Sequence, residues 1–365
     1  MNAVRQETRP PTSATGLTGQ DVRLIGGCAV ATVLAGAARL VSLPSVVPFL
    51  IAAVALALLA SLVGRAVDAL GDRLGAGATG VVQSALGNLP ELFVCLFALR
   101  DGLYDVVDAA LVGSVLANVL LVLGLAFIVG GLRHGTQRFP ASQARTLSLL
   151  LVLSVAAWLI PSLTAALHTP AAGHERGLSI ITAILLLLLF GLSIPASLSR
   201  SEPQGEAEQP KEARWPLALT LGILFAAAVA AAFVSDWFVA GLQPAMDALH
   251  ISEAFAGLVI VAIAGNAVEN VVGVQLAARN QTDYALSVIL QSPLQIALVL
   301  APVLVLVAPL VGATFTLVLS PLLVASLIIA VIVTVLVVND GESTWLEGVT
   351  LVVLYALIAT SFWWG

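Results

Sequence analysis

Charged side chains are scarce in this sequence, and lysine is almost absent. Only 10% of the 365 residues are charged, against 59% that are hydrophobic, and a single lysine accompanies fourteen arginines. A soluble globule of this length needs far more polar surface than this composition supplies. The chain is therefore expected in a lipid bilayer. The arginine bias is typical of a GC-rich bacterial genome and so indicates the bacterial plasma membrane.

Cysteine and histidine are also rare in the sequence, and nucleotide-binding motifs are absent from it. The two cysteines, Cys28 and Cys95, lie in separate apolar runs, so no disulfide framework is expected. The four histidines lack the spacing of zinc or copper ligands. The sequence contains neither a phosphate-binding loop of the G-x-x-x-x-G-K-[ST] kind nor a nucleophile constellation. An enzyme, an ATP-driven pump, a resident cofactor and a nucleic-acid partner are all unsupported.

Long apolar runs dominate what is present. A transmembrane helix needs about 20 mostly apolar residues. Eleven runs meet that need: 22–42, 46–64, 77–100, 105–130, 145–167, 178–198, 216–238, 253–278, 283–308, 313–338 and 345–364. Runs of this length suit helices rather than barrel strands. The sequence predicts an all-α integral membrane protein with about eleven transmembrane helices.

Basic residues predict the orientation, because cytoplasmic loops carry an excess of Lys and Arg. With the N-terminus inside, twelve basic residues fall on the cytoplasmic side, and only Arg39, Arg100 and Arg176 fall outside. An odd number of helices then places the C-terminus outside, where Trp363 and Trp364 suit an aromatic belt.

The predicted organisation has five parts. Residues 1–20 form a polar cytoplasmic tail, and residues 21–44 form a first helix that stands apart from the others. Residues 45–198 and 215–365 are expected to form two five-helix repeats. Between them, residues 199–214 carry four glutamates among Pro, Gln and Gly, a composition typical of a flexible, acidic cytoplasmic linker.

An offset of 178 residues carries part of the first half onto the second. The matching pairs are Val81 with Val259, Gly87 with Gly265, Asn88 with Asn266, Glu91 with Glu269, Val94 with Val272, Asp105 with Asp283, Ser114 with Ser292, Leu116 with Leu294 and Leu120 with Leu298. An odd number of helices separates the copies, so equivalent helices are expected to run in opposite directions. Inverted repeats of this kind are typical of secondary transporters, whose sites lie near the bilayer midplane.

Two glutamates lie about midway along apolar runs. Glu91 and Glu269 each follow an asparagine by three residues, Asn88 and Asn266. A charged side chain at a helix centre costs about 2.5–3.5 kcal/mol or more, so it usually marks an ion or proton pathway. The alternative is a protonated glutamate that only hydrogen-bonds helices together. Two glutamates at matched repeat positions favour a binding site.

Helical spacing brings further polar residues to the same faces, and glycine and proline loosen the backbone beside them. These supporting candidates are Ser84, Gly87, Ser114, Asn118, Gly265, Gln291, Ser292 and Gln295. Their carboxylate, amide, hydroxyl and carbonyl oxygens are the ligands that suit a hard cation such as Ca²⁺. Glu91 and Glu269 are therefore the predicted metal and proton ligands, with Asn88 and Asn266 beside them.

The segments "GNLPELFVCLFALRDG", "VGSVLANVLLVLG" and "AGNAVENVVGVQLAARNQTDYALSVILQSPLQIALVLAP" resemble the repeat motifs of the cation/proton exchanger (CAX) family, within the calcium/cation antiporter superfamily. This resemblance implies that the third, fourth, eighth and ninth helices enclose a cation, with Glu91 and Glu269 as central carboxylates and the other helices as a moving group. Matched family positions that line or support the site are Asn88, Asn266, Ser114, Asn118, Ser292 and Gln295.

The second motif departs from the family pattern at three places. Asn270 replaces a usual histidine, Gln291 and Ser292 replace a glycine–serine pair, and Pro293 replaces a small residue. These departures bear on ion choice and stoichiometry more than on the fold.

The paired glutamates predict an exchange mechanism. A divalent cation neutralises both carboxylates, and protons compete for the same charge. The expected function is a secondary antiporter that exchanges Ca²⁺ for H⁺ by alternating access, with the cation, protons and lipid bilayer as partners. A Na⁺/H⁺ antiporter on the same scaffold is the first alternative, followed by a passive cation channel and a membrane scaffold protein. The sequence leaves open whether the chain forms a homo-oligomer.

Overall fold

The structure is a computed structural model that describes residues 16–200 and 215–364. Within these ranges, the side chains of residues 72, 74–82, 84, 85, 194–200 and 268 are not described. Most of the predicted tail, 1–20, and nearly all of the predicted acidic linker, 199–214, lie outside the described residues. The side chain of Ser84 lies outside them as well.

Nearly all of the described chain is helical, which confirms the all-α prediction. The helices are α1 (Gly19–Ala38), α2 (Val46–Leu86), α3 (Leu89–Arg100), α4 (Tyr104–His134), α5 (Ala141–Ala166), α6 (Glu175–Arg200), α7 (Leu217–Leu249), α8 (Glu253–Gly265), α9 (Ala267–Ala278), α10 (Thr282–Val311), α11 (Pro321–Val338) and α12 (Trp345–Ser361). Two strands of two residues each, β1 (Gln137–Arg138) and β2 (Glu342–Ser343), pair antiparallel.

Within the described residues, eight helices are long and apolar enough to cross a membrane. The number is nine if α8 and α9 form one span that is bent by 64°. The apolar run 77–100 is divided between two helices, because α2 extends to Leu86 and a break at Gly87 and Asn88, where the backbone was expected to loosen, separates it from α3. The count of eleven membrane-crossing helices stays a prediction.

The first turn of α1 fixes this helix to two others. Thr18 and Asp21 form a capping box, in which the Thr18 N–H donates to Asp21 Oδ2 at 2.9 Å. The same carboxylate accepts a hydrogen bond from Arg65 Nη1 of α2 at 2.9 Å. It also accepts one from Trp215 Nε1, just before α7, at 3.4 Å. Asp21 therefore ties α1, α2 and α7 together at one end of the bundle.

The connecting loops gather at two opposite ends. The strand end holds β1, β2 and the link from α9 to α10, since a ring nitrogen of His134 lies 3.1 Å from the Ala278 carbonyl oxygen. The far end holds the start of α2 and the end of α7, since Ser45 Oγ donates to the Pro244 carbonyl at 3.0 Å. At the far end α4 begins beside α8, which follows closely on α7.

Glycines allow α4 and α8 to approach within backbone contact. A Cβ built on Gly113 would overlap the carbonyl of Leu258, and a Cβ built on Gly257 would overlap the carbonyl of Val106. Small residues let membrane helices pack this closely, where burial from water supplies little driving force. The two contacts lie in the part of α4 nearer the far end, so they close that side of the helix pair.

We expect Gly113→Ala to destabilise the protein. The added methyl group meets a backbone carbonyl that cannot rotate away, a conflict that costs about 1–3 kcal/mol. Gly222→Ala in α7 is the matched control, because nothing lies within 4 Å of a Cβ built on Gly222. Thermal unfolding in detergent measures both variants. Equal melting temperatures would mean that α4 and α8 do not pack this closely.

Candidate cation-binding site

Two equivalent helix breaks form the framework of the site. Asn88 has φ −94° and ψ 15°, and Asn266 has φ −103° and ψ 21°, so the backbone leaves the helical path in nearly the same way at both. A new helix starts at the next residue in each case, and its first turn contains Glu91 or Glu269. Helix N-termini carry partial positive charge, which favours a carboxylate at this position. The glycine–asparagine pair thus places a carboxylate where the backbone helps to stabilise it.

A chain of side-chain hydrogen bonds runs from Glu91 into the second half of the protein. Ser114 Oγ donates to Glu91 Oε1 at 2.5 Å and accepts from Asn266 Nδ2 at 3.0 Å. Asn266 Oδ1 in turn accepts from Ser292 Oγ at 3.2 Å. Glu91, Ser114 and Asn266 are all at most 2% exposed. The four predicted residues therefore form one buried network that joins α3, α4, the break between α8 and α9, and α10.

A cavity of about 80 Å³ lies beside this network. Its lining residues are Ala60, Gly64, Gln83, Gly87, Gly265, Glu269, Val288, Gln291, Ser292 and Gln295. The structure thus brings together Glu269 and five of the supporting candidates. The wall is formed by α2, the α2–α3 break, α9 with the break before it, and α10, and its polar side chains supply oxygen atoms that can contact an ion.

The two glutamates occupy different environments. Glu269 faces the cavity, whereas Glu91 is buried behind Gly265, where a Cβ would lie 3.4 Å from the carboxyl carbon of Glu91. Among the described residues, Glu91 Oε2 has no hydrogen-bond partner. One carboxylate therefore lies in the cavity wall, and the other lies directly behind the wall with a free acceptor oxygen.

The remaining candidates support the site from nearby helices. Asn88 Nδ2 donates to Gln295 Oε1 at 3.4 Å, a long hydrogen bond that links the α2–α3 break to α10. Asn118 Nδ2 donates to the Ser114 carbonyl at 2.8 Å, while its own Oδ1 has no partner in the described part of the chain. Asn118 thus holds the turn that carries Ser114 and does not line the cavity.

Sequence reasoning missed three polar residues. Gln83 lines the cavity, and its spacing of four residues from Gly87 was the available signal. Ser235 of α7 donates to the Pro90 carbonyl at 3.4 Å, which no local pattern indicates. Asp108 carries a shielded Oδ1 without a partner in the described residues, but it lies near the start of an apolar run, where an acid is ordinarily solvated.

No group of three or more His, Cys, Asp or Glu side chains is arranged to hold a metal in residues 16–200 and 215–364, as far as these are described. A cation at this site would therefore use the two carboxylates together with neutral oxygens. Amide oxygens of Gln83, Gln291 and Gln295 and the hydroxyl of Ser292 are the neutral ligands that the cavity offers. Oxygen ligands of this kind fit Ca²⁺, which takes about six to eight of them, some from water.

Comparison with known proteins assigns the family. The sequence profile described as "Sodium/calcium exchanger protein" matches residues 44–198 and 219–364. The chain belongs to this family. A Ca²⁺/H⁺ antiporter ChaA of Bacillus subtilis is 34% identical over 324 residues, which cover 87% of this chain and 92% of that protein. A Ca²⁺/H⁺ antiporter of Synechocystis is 32% identical over 339 residues, covering 86% and 90%.

Solved structures share the fold. Native YfkE, at 32% sequence identity, superposes with a TM-score of 0.80 and covers 94% of this chain and 99% of its own. The H⁺/Ca²⁺ exchanger CAX superposes with a TM-score of 0.71 at 15% identity, over 94% of this chain and 92% of its own, which shows the fold alone. The resemblance to cation/proton exchangers that the motifs indicated is confirmed.

We expect Ser114→Ala to lower the stability of this exchanger-family chain more than Ser154→Ala does. The first variant leaves Glu91 and Asn266 without their shared partner, and an unpartnered buried polar group costs about 1–3 kcal/mol. Ser154 is equally buried but bonds only to the Leu150 carbonyl of its own helix, at 2.6 Å. Thermal unfolding at neutral pH compares the two. A larger loss in Ser154→Ala would mean that the Ser114 bridge contributes little.

Proposed function

We propose that this protein is a secondary antiporter that exchanges Ca²⁺ for H⁺ across a membrane. It is a transporter and not an enzyme. The observation that carries the proposal is a carboxylate, Glu269, in the wall of a polar cavity, with the equivalent carboxylate, Glu91, buried directly behind it. Relatives that match nearly the full length of the chain are named Ca²⁺/H⁺ antiporters, which supports the same conclusion.

Charge balance explains how one site can serve two kinds of ion. Two ionised carboxylates in a low-dielectric interior repel each other and lack solvation, so the empty, doubly charged site is unfavourable. One Ca²⁺ neutralises both charges, and so do protons on the carboxylates. Ca²⁺ and H⁺ therefore exclude each other. If reorientation requires a neutral site, export of one ion is coupled to entry of the other without a separate energy source.

We assign different roles to the residues around the cavity. Glu269 meets the incoming cation first, because it faces the open space. Glu91 supplies the second negative charge that balances a divalent cation, and Ser114 keeps the Glu91 carboxylate oriented toward the second half of the protein. The glutamine amides and the Ser292 hydroxyl supply neutral oxygens to replace water around the ion. Asn88 and Asn266 maintain the two helix breaks that present the carboxylates.

We infer that ions reach the cavity from the strand end in this conformation. α9 runs from Glu269 at the cavity to Ala278 at the strand end, and α10 enters from the same end before it reaches Gln291 and Gln295. On the far side, the glycine contacts between α4 and α8 leave little space between these two helices. With the N-terminus cytoplasmic in a bacterial plasma membrane, this conformation presents the site to the cytoplasm.

The proposed layout is one helix followed by two inverted five-helix repeats, 45–198 and 215–365. The end of α2 with α3 forms one broken span and α8 with α9 the equivalent one, which gives eleven crossings. Three backbone features recur at the offset of 178 residues and support this layout. They are the breaks at Asn88 and Asn266, the left-handed residues Gly102 and Asn280, and the π-helical turns at Ala117–Val122 and Ile296–Leu300.

Purified protein in liposomes should take up Ca²⁺ against its gradient when a pH gradient is imposed. A pulse of external Ca²⁺ should drive protons out of the lumen, which an internal pH dye reports as a rise in pH, and a large excess of Na⁺ should have little effect. Because protons compete with Ca²⁺ for the same carboxylates, the Ca²⁺ concentration for half-maximal exchange should rise as the pH falls. Proton release by Na⁺ alone would establish the Na⁺/H⁺ alternative, and Ca²⁺ flux that never runs uphill would indicate a channel.

Glu91→Gln and Glu269→Gln should each abolish coupled exchange while the protein still folds. Glutamine preserves the size and most hydrogen bonds, but it removes a charge that must be neutralised on each half of the cycle. Asp283→Asn is the matched control, since this exposed acid in the first turn of α10 lies away from the cavity. Vesicle transport normalised to reconstituted protein gives the comparison. Wild-type exchange by either glutamine variant would remove that residue from the site.

A further inference from the structure

Three π-helical turns interrupt the helices that surround the site. Within the described residues they lie at Ala117–Val122 in α4, Ala256–Val261 in α8 and Ile296–Leu300 in α10. In a π-helical turn, an N–H bonds to the carbonyl five residues earlier, so one carbonyl loses its usual partner four residues later. Such a carbonyl, deep in a membrane protein, needs another donor.

The freed carbonyl of α4 belongs to Val119. The Leu123 N–H, which would reach Val119 in a regular α-helix, donates to the Asn118 carbonyl instead. Thr334 of the neighbouring helix α11 donates to this carbonyl, with its Oγ1 3.3 Å from the Val119 oxygen. The same hydroxyl lies 2.7 Å from the Ala330 carbonyl of its own helix, so its single proton is shared between two acceptors.

The freed carbonyl of α10 belongs to Ala297. The Ala301 N–H donates to the Ile296 carbonyl, five residues back, and leaves Ala297 without its usual partner. Trp158 of α5 supplies the replacement, since its Nε1 donates to the Ala297 oxygen at 3.2 Å. Trp158 is only 1% exposed, and this is the hydrogen bond of its indole N–H.

The two external donors are arranged reciprocally. Val119 and Ala297 are 178 residues apart, the offset that relates the two halves. α5 of the first half satisfies the carbonyl in the second half, and α11 of the second half satisfies the carbonyl in the first. Sequence identity does not reveal this relation, because one donor is an indole and the other a hydroxyl.

Each of these turns is directly attached to a residue of the cation site. Asn118 precedes Val119 and holds the carbonyl of Ser114, the residue that bonds Glu91. Gln295 precedes the turn in α10, lines the cavity and accepts from Asn88. A return to regular α-helix would rotate the residues on one side of the turn by about 100° relative to the other side. The Asn118 side chain would then turn away from the Ser114 carbonyl, and the Gln295 side chain would turn away from the cavity.

We propose that Trp158 and Thr334 are positioning residues for the cation site, which act by satisfying the freed carbonyls of Ala297 and Val119. This role rests on the proposed exchange function. The two side chains do not touch the ion. They keep the π-helical turns in place, and the turns fix the direction of Gln295 and of the Asn118–Ser114 pair.

The test replaces the indole N–H of Trp158 and little else. In Trp158→β-(3-benzothienyl)alanine, sulfur takes the place of the N–H, so shape and apolar contacts are retained. The Ca²⁺ concentration for half-maximal proton release should rise about 2- to 10-fold, the size expected from one lost hydrogen bond. The maximal rate should change less. The same replacement at Trp345, which is 49% exposed at the start of α12, is the control and should leave the Ca²⁺ dependence unchanged.

Thr334 provides an independent arm. Thr334→Val removes the hydroxyl at nearly constant volume, and Thr334→Ser restores it, so only the valine variant should weaken Ca²⁺ activation. Its effect should be smaller than that of the Trp158 replacement, because the Thr334 proton is shared with Ala330. In both arms, hydrogen exchange followed by mass spectrometry should show faster amide exchange around residues 296–301 or 118–123, whether or not transport is measured.

The inference is overturned if the wild type exchanges Ca²⁺ for protons and the protein with the replaced Trp158 shows the same Ca²⁺ dependence. A lower melting temperature with unchanged Ca²⁺ dependence would do the same, since it would reduce Trp158 to a structural role. Failure of the wild type to exchange Ca²⁺ for protons refutes the proposed function instead, and in that case the hydrogen-exchange arm still decides whether the side chains hold the turns. Unaltered hydrogen exchange at those amides would contradict the claim that Trp158 and Thr334 hold the π-helical turns.

Discussion

The candidate site depends on the two hydrogen bonds of the Ser114 hydroxyl. The hydroxyl donates to a carboxylate of the first half and accepts from an amide of the second half, so it joins the two sets of helices through fully buried side chains. A carboxylate in apolar surroundings is stable only while its charge is neutralised or its oxygens are partnered. The glycine contacts between α4 and α8 and the helix breaks at Asn88 and Asn266 hold the backbone where this bridge can form.

Much of the fold and the core of the site followed from the sequence. Apolar runs predict membrane helices because the bilayer fixes both their length and their composition. Glu91 and Glu269 stood out because an acid in such a run is costly wherever it lies, so no knowledge of its neighbours was needed. Helical spacing and the 178-residue offset then indicated Ser114 and Ser292, and the structure places both in the network with Asn266.

Other features depend on distant parts of the chain and left no local signal. Two motifs with Gly, Asn and Glu at the same spacing gave Glu91 a buried position and Glu269 a place in the cavity wall, because the packing of the whole bundle decides which carboxylate faces open space. The π-helical turns need donors from α5 and α11, so the residues of α4 and α10 alone do not predict them. Glycine and proline indicated a loosened backbone near Gly87, but the exact end of α2 at Leu86 could not be predicted, since apolar composition is the same on both sides of it.

The pairing of β1 with β2 joins the loop between α4 and α5 to the loop between α11 and α12. Asp21 ties α1, α2 and α7 into a second group. The cavity has one wall from each group, with Ala60 and Gly64 on α2 facing Gln291 on α10, which packs against α5. The candidate cation site therefore lies between two separately tied groups of helices, and the proposed exchange would need only a relative rotation of the two groups, which leaves both ties intact.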